Sequence, residues 1–394
     1  MRGVRASPAV PSPIRVALNL VYLVPGETGG MEVYARELLP RLAAIDGIEP
    51  VAIVNAVAAE DSDAPWHTAV DHVVAPVDAR DRRQWVWGEQ RHVPRLATEV
   101  GADLVHSLAS TGPGRFAGGP PRVTTVHDLH YAVAPDAHFG LRGLGMRVLV
   151  PAAIHASRRI VADSQATKDD IVRHVGTPAD RIDVVHLATT PPRATPTAED
   201  DLRRRLGLGD RPVLLSMSAK RPHKNVEGLI DALAAIPPER RPVLVVPGYA
   251  TEHDAVLRRR AAARNVADHV RLPGWLSTAD VEGLWRIARA HVFPSFYEGF
   301  GLPVLEALLR DVPSACADRA SMPEVAGDAA LLFDPSDVPS ITDAIERLLS
   351  DEDLRASLRE RGRAQAARFS WERTARETAA VYERALRPER SRAA

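Results

Sequence analysis

With one cysteine in 394 residues, no intrachain disulfide can form. Cys316 sits in an apolar run and reads as a small core residue, in keeping with a reducing compartment. Excess charge of one sign is also missing: 50 lysines and arginines against 51 aspartates and glutamates give a net charge of −1. No global field draws nucleic acid, which is therefore not expected as a partner. Nor is there a long hydrophobic run. The longest apolar region, Leu144 to Ala162, is interrupted by Arg147, Pro151, His155, Arg158 and Arg159, so it cannot cross a bilayer as a bare helix. The first residues, MRGVRASPAVPSP, carry two arginines but no apolar stretch of signal-peptide length. Residues 1–13 and 388–394 read as disordered ends. The expectation is a cytoplasmic protein, with peripheral attachment at the inner face of the plasma membrane left open.

What the chain does have is length for two cores and a repeating strand–helix rhythm. Ile14–Leu20 reads as a strand, followed by a glycine loop ending Gly29-Gly30 and a helix from about Met31 to Ile45. Strands at Pro50–Asn55, Ala69–Pro76, Asp103–Ser107, Arg122–His127, Ile160–Ser164 and Ile182–Leu187 alternate with helices at Asp81–Val100 and Ala166–Val175, the latter capped by Ser164. Thr189–Thr197 (TTPPRATPT) is a proline-rich connector. The rhythm then restarts: strands at Val213–Ser218, Pro242–Pro247, Val270–Pro273 and Ser314–Ala317, with helices at Val226–Ala235, from Thr278, and at Ser340–Leu349. A last helix is expected from Glu360 to about Arg387, with Ser370 as a further cap candidate. Such alternation predicts parallel, doubly wound α/β sheets, whose ligands gather at the carboxyl ends of the strands.

Four segments at such ends carry candidate chemistry. Gly29-Gly30 is either an ordinary turn or a backbone cradle for an oxyanion at a helix N-terminus. His127-Asp128-Leu129-His130 offers three metal ligands, or a histidine that only caps a strand; no second ligand cluster appears elsewhere. Ala219–Asn225 (AKRPHKN) puts Lys220, Arg221 and Lys224 in one loop, as a diphosphate would require where no metal neutralises it. Gly274-Trp275-Leu276 follows a strand, and Trp275 reads equally as core or as a ligand-facing ring. The fifth segment organises the rest. HVFPSFYEGFGLPVLEALLR, His291 to Arg310, runs from strand through a glycine loop (Glu298-Gly299-Phe300-Gly301) into a helix beginning at Leu302, with Glu298 and Glu306 eight residues apart. Two carboxylates at an apolar strand–helix junction suit hydroxyl donors such as those of sugar or ribose.

The stretch PSFYEGFGLPVLEA, with PEVAGDAALLFDP downstream, closely resembles the Glu-x7-Glu motif of retaining family 4 glycosyltransferases, the sucrose-synthase/mannosyltransferase group. Resemblance extends to Gly29-Gly30-Met31-Glu32 (GG-x-E), Thr125-Val126-His127-Asp128 (TxHD), Lys224-Asn225 and Gly274-Trp275-Leu276. It implies a GT-B fold: two doubly wound Rossmann-like domains facing a cleft, an acceptor domain at 14–188, a donor domain at 198–370, and a terminal helix at 371–387 crossing back to brace the first. It implies that Glu298 contacts the donor sugar, Glu306 the ribose and Lys224 the diphosphate. His127 would lie by the sugar, with Asp128 beside it, and Gly29-Gly30 would close over phosphate and sugar. Gly299, Phe300, Gly301 and Leu302 would line the donor site, and Trp275 and Leu276 the base. Ser218-Ala219 replaces the family's Gly-Arg, so Lys220 or Arg221 must supply the second cation. The implied reaction needs no metal or cofactor: hexose transfer, best matched to GDP-mannose, onto a hydroxyl of a glycan, lipid-linked saccharide or small molecule. Two other readings stand beside it: a metal-dependent hydrolase using His127, Asp128 and His130, and a non-catalytic nucleotide-sugar-binding relative.

Overall fold

The computed structural model describes residues 12–133, 141–191 and 194–387. Of the ends expected to be disordered, 1–13 and 388–394, residues 1–11 and 388–394 lie outside the described residues.

Two all-parallel sheets carry the chain. The first holds β1 (Ile14–Leu20), β2 (Ile48–Asn55), β3 (Asp71–Ala75), β4 (Leu104–Ser107), β5 (Arg122–Val126), β6 (Arg159–Ala162) and β7 (Ile182–Val184), in the order β3-β2-β1-β4-β5-β6-β7. The second holds β8 (Val213–Leu215), β9 (Val243–Val245), β10 (Val270–Arg271), β11 (Ala288–Phe293), β12 (Ser314–Ala317) and β13 (Ala330–Phe333), in the order β10-β9-β8-β11-β12-β13. Both orders reverse direction beside their first strand, and that switch point is where such sheets open a crevice. Strand sequences such as VALNL in β1 are buried on both faces, as parallel sheets covered by helices require. This is the GT-B architecture of two Rossmann-like domains.

Five helices position the cleft. α1 (Gly30–Ala43) starts from Gly29, whose φ of 69° and ψ of −131° are open to glycine alone. α2 (Gln165–Val175) is capped by Ser164 and ends on left-handed Gly176. α3 (Val226–Ala235) is capped by Asn225, itself left-handed. α4 (Leu302–Leu309) follows Gly301 at φ 103°, with Pro303 in its first turn. α5 (Trp371–Leu386) is capped by Ser370.

α5 belongs to the first sheet's side. Its Tyr382 hydroxyl lies 2.8 Å from His106 Nδ1 of β4, Thr374 Oγ1 donates to the His186 carbonyl at 2.7 Å, and Glu372 pairs with Arg41 of α1 at 2.8 Å. Apolar packing is continuous from Leu18 and Leu38 through Leu187 and Trp371 to Phe293 and Leu305. Among the described residues, no helix is long and apolar enough to cross a membrane.

The helix read at Asp81–Val100 runs unbroken from Arg82 to Glu99 and holds a π-helical turn at Gly88–His92. One sequence expectation needs correcting. The helix read from Glu360 is two, Glu352–Ala366 and α5, because Ser370 is extended (φ −144°, ψ 145°) and takes the Arg373 N–H on its hydroxyl. The strand β13 lies inside the PEVAGDAALLFDP stretch, where periodicity had predicted none.

Candidate active site

The loop between β11 and α4, Pro294–Gly301, meets segments of both domains. Lys224 Nζ approaches Glu298 Oε1 to 2.5 Å, and both side chains are largely buried. The Phe296 N–H donates to the His223 carbonyl at 2.9 Å, which ties this loop to the Ala219–Asn225 loop. On the other side, Gly299 lies against His127: a Cβ built on it would stand 1.7 Å from the His127 carbonyl oxygen. Only glycine permits that approach. The Gly299 carbonyl accepts hydrogen bonds from Ser164 Oγ at 2.6 Å and Thr167 Oγ1 at 3.0 Å. Glu298, Gly299, Lys224 and His127 are thus brought to one place from three segments of the sequence.

His127 follows β5. Its Nε2 lies 2.8 Å from the Leu108 carbonyl and its Nδ1 2.7 Å from Asp163 Oδ2. A carbonyl only accepts, so Nε2 carries a hydrogen, and the second proton is held between Nδ1 and Asp163. Burial alone lowers the imidazolium value, but the Asp163 carboxylate outweighs it and raises His127 above the ordinary histidine range. Burial also raises Asp163, whose Oδ1 has no hydrogen-bond partner among the described residues. Both ring nitrogens are committed to the protein, so this ring offers a fixed charge rather than a free base. Tyr34 of α1 packs edge-on against it with centroids 5.2 Å apart.

That commitment also bears on the hydrolase reading. Asp128 takes the His130 N–H on its own carboxylate at 3.0 Å, and the His130 ring packs 4.2 Å from His223. Among the described residues, no three His, Cys, Asp or Glu side chains are grouped to hold one metal ion. The metal-dependent hydrolase is not favoured.

Glu306 sits on α4, half-buried. Burial raises its carboxyl, Arg310 opposes the rise, and Glu282 adds to it. Arg310 is engaged by Glu282 at 2.6 Å, and the Glu306 carboxylate makes no hydrogen bond or ion pair among the described residues. It is an acceptor held ready without a donor.

The two candidates for the second cation part company. Lys220 is fully buried, and its ammonium donates to the carbonyls of Gly248 at 2.6 Å and Pro273 at 3.2 Å, with Asp254 3.6 Å away. Burial lowers its ammonium value. It braces the ends of β9 and β10 and presents no charge to the cleft. Arg221 is exposed and donates to the Tyr249 hydroxyl at 3.0 Å. Trp275 is 80% exposed, which decides against the core reading, while Leu276 packs half-buried under the second sheet. Phe300 is buried in apolar packing, edge-on to Phe369 at 5.8 Å. Gly301 and Leu302 start α4. Gly29 and Gly30 have nothing within 4 Å of a built Cβ, so the start of α1 faces open space.

Sequence reasoning passed over Asp163, Tyr297 and Asp170. Asp163 is legible only as the residue before a helix cap. Tyr297 is hidden because an aromatic beside a motif reads as packing, and Asp170 because it sits on an ordinary amphipathic helix.

Comparison with known proteins follows the same segments. Residues 198–365 match the family model for glycosyl transferases group 1, and residues 28–190 match that for glycosyltransferase family 4. The O-antigen chain mannosyltransferase B of Escherichia coli is 34% identical over 265 residues, covering 66% of this chain and 69% of that protein. The serotype-specific mannosyltransferase WbdA of Escherichia coli is 31% identical over 224 residues, 55% of this chain and 27% of that protein, so the match spans about a quarter of WbdA. The structure of Anabaena Alr3699/HepE in complex with UDP and glucose superposes with a TM-score of 0.71 at 19% identity, covering 94% of this chain and 100% of that one, a likeness of fold. With both halves matched in order and a mannosyltransferase one-third identical across most of its length, the chain belongs to family 4 of the GT-B glycosyltransferases.

Proposed function

We propose that this glycosyltransferase moves a hexose, mannose or a related sugar, from a nucleoside-diphosphate donor to an acceptor hydroxyl with retention at the anomeric carbon. GDP-mannose is the donor of choice, given the mannosyltransferase relatives. The acceptor is a glycan, a lipid-linked saccharide or a small molecule, and peripheral association with the membrane suits the second of these. No metal enters the proposed reaction.

The observation that carries the reading is the Lys224–Glu298 pair at 2.5 Å, set in the glycine loop that leads to the unpartnered Glu306. An ammonium has three N–H donors, and Glu298 takes one, so Lys224 can hold Glu298 and a diphosphate oxygen together. In the proposed step the bond from the anomeric carbon to the diphosphate oxygen breaks through an oxocarbenium-like state. The acceptor oxygen bonds to the same face of that carbon, and its proton passes to the departing phosphate oxygen. Negative charge grows on the leaving group, so Lys224, Arg221 and the start of α1 at Gly29-Gly30 do most of the work by preorganised electrostatics. Glu298 supports the sugar's developing positive charge and orients its hydroxyls, and Glu306 takes the ribose hydroxyls. His127, with Asp128 beside it, lines the sugar end as a fixed charge. Trp275 offers the exposed surface for the base with Leu276 half-buried beside it, and Gly299 to Leu302 shape the floor.

The test is a donor panel of GDP-mannose, UDP-glucose, ADP-glucose and dTDP-glucose, with and without chelator, read by released nucleoside diphosphate and by NMR of the product's anomeric centre. The proposal expects turnover with one base, unaffected by chelator, and an axial donor giving an axial product. Inversion at that centre, or turnover only with added metal, would refute it.

A further inference from the structure

The donor-side loop is anchored to the acceptor domain by a hydroxyl that packing does not need. Tyr297 is 6% exposed, and a phenylalanine would fill the same space. Its hydroxyl nevertheless donates to Asp170 Oδ2 of α2 at 2.9 Å and accepts the Leu129 N–H at 3.2 Å. Leu129 stands two residues beyond His127, and the His130 ring lies 5.7 Å from the Tyr297 ring. Burial and the Asp170 charge push the phenol far above working pH, so the group stays a donor. On its other side the same loop is tied to the cation loop through His223 and Lys224. One short segment therefore touches the cation loop with one end and the His127 loop with the other.

We propose that Tyr297 is a positioning residue of the transfer reaction, whose hydroxyl, bridging Asp170 and the Leu129 N–H, fixes where Glu298 stands relative to His127. This rests on the transfer reaction proposed above. Ser164 and Thr167 hold the Gly299 carbonyl, but that contact restrains the backbone beyond Glu298. Tyr297 restrains the residue before it, so Glu298 is held from both sides only when the two domains meet. Without the hydroxyl the loop still packs, Lys224 and Glu306 are untouched, and the donor still binds. What is lost is the register between donor sugar and acceptor pocket, together with the exclusion of water from the sugar.

The experiment uses the full chain, with the donor that turns over in the panel above, and compares wild type with Tyr297→Phe, Asp170→Ala and the double variant. Nucleoside diphosphate affinity is measured by calorimetry, transfer by initial rates, and donor hydrolysis by sugar released without acceptor product. The expected result for each single variant is a kcat for transfer lower by about 10-fold, a nucleotide affinity within about twofold of wild type, and a larger hydrolysed share. The double variant should lose no more than Tyr297→Phe alone, because that change already removes the hydrogen bond that Asp170 accepts. Unchanged kcat, losses that multiply, or a fall in nucleotide affinity matching the fall in kcat would each overturn the proposal. Comparable melting temperatures of the single variants exclude misfolding as the cause, and Asp170→Ala, which keeps the tyrosine, decides the matter should Tyr297→Phe prove unstable. A wild type without nucleotide binding or turnover would instead refute the transfer reading itself.

Discussion

Between the Leu108 carbonyl and the Asp163 carboxylate, the His127 ring has no nitrogen left for the substrate. The sequence shows a histidine at a strand end beside an aspartate and leaves three uses for it. The structure disfavours the metal-ligand use, through a partner thirty-six residues away whose only sequence mark is its place before a capping serine. A pH signature follows. The native His127 value is raised, so the pair's contribution to stability is complete below the unfolded histidine value of about 6.5 and is lost as pH rises through the raised native value. Each unit of elevation corresponds to about 1.4 kcal/mol. Urea unfolding of wild type and Asp163→Asn at several pH values from 6 to 9 should show the wild-type stability falling more steeply with alkalinity. Parallel curves would contradict the charged pair. Lys220 teaches a related lesson: a lysine in a cationic loop reads as a ligand for phosphate, yet its four-carbon stem takes it inward to two backbone carbonyls.

At the scale of elements, the strands were the most legible part. β1, β12 and α3 fall on the residues their patterns indicate, because a buried parallel strand is a nearly unbroken apolar run and α3 has both a capping asparagine and a clean apolar stripe. Irregularities were harder to read. The π-helical turn at Gly88–His92 and the break before Ser370 leave helical periodicity almost intact on either side, and the sequence offers no proline or glycine run to mark the second. The glycine loop was legible as an element but not as a contact. Periodicity says that Gly299 stands between strand and helix; it does not say that the His127 carbonyl of another domain fills the place of its Cβ. Gly299→Ala should therefore unseat the loop. Displacement of about 1 Å at a reacting centre is worth about 100-fold in rate, so transfer in this variant should fall by at least that much while free nucleotide still binds. Activity within a few-fold of wild type would show that the loop does not need this close approach.

The whole molecule joins two sheets whose strand orders reverse beside β1 and β8, so both crevices open where the sequence motifs lie. This much follows from the repeated strand–helix rhythm and the proline-rich connector. The bracing of the first sheet by α5 depends on His106, Tyr382, Arg41 and Glu372, which are far apart in sequence and carry no motif. The proposed transfer requires that the second sheet's crevice take a nucleoside diphosphate, with Glu306 as the acceptor for its ribose. The measurement that tests this most directly is the melting temperature of wild type and Glu306→Ala with GDP, UDP, ADP and dTDP, each with and without chelator. At one hundred times its dissociation constant, a bound nucleotide adds about 2.7 kcal/mol of stability. The expected result is a chelator-insensitive rise with one base, GDP foremost, that is sharply reduced in Glu306→Ala. No rise with any nucleotide, or an equal rise in the variant, would contradict it.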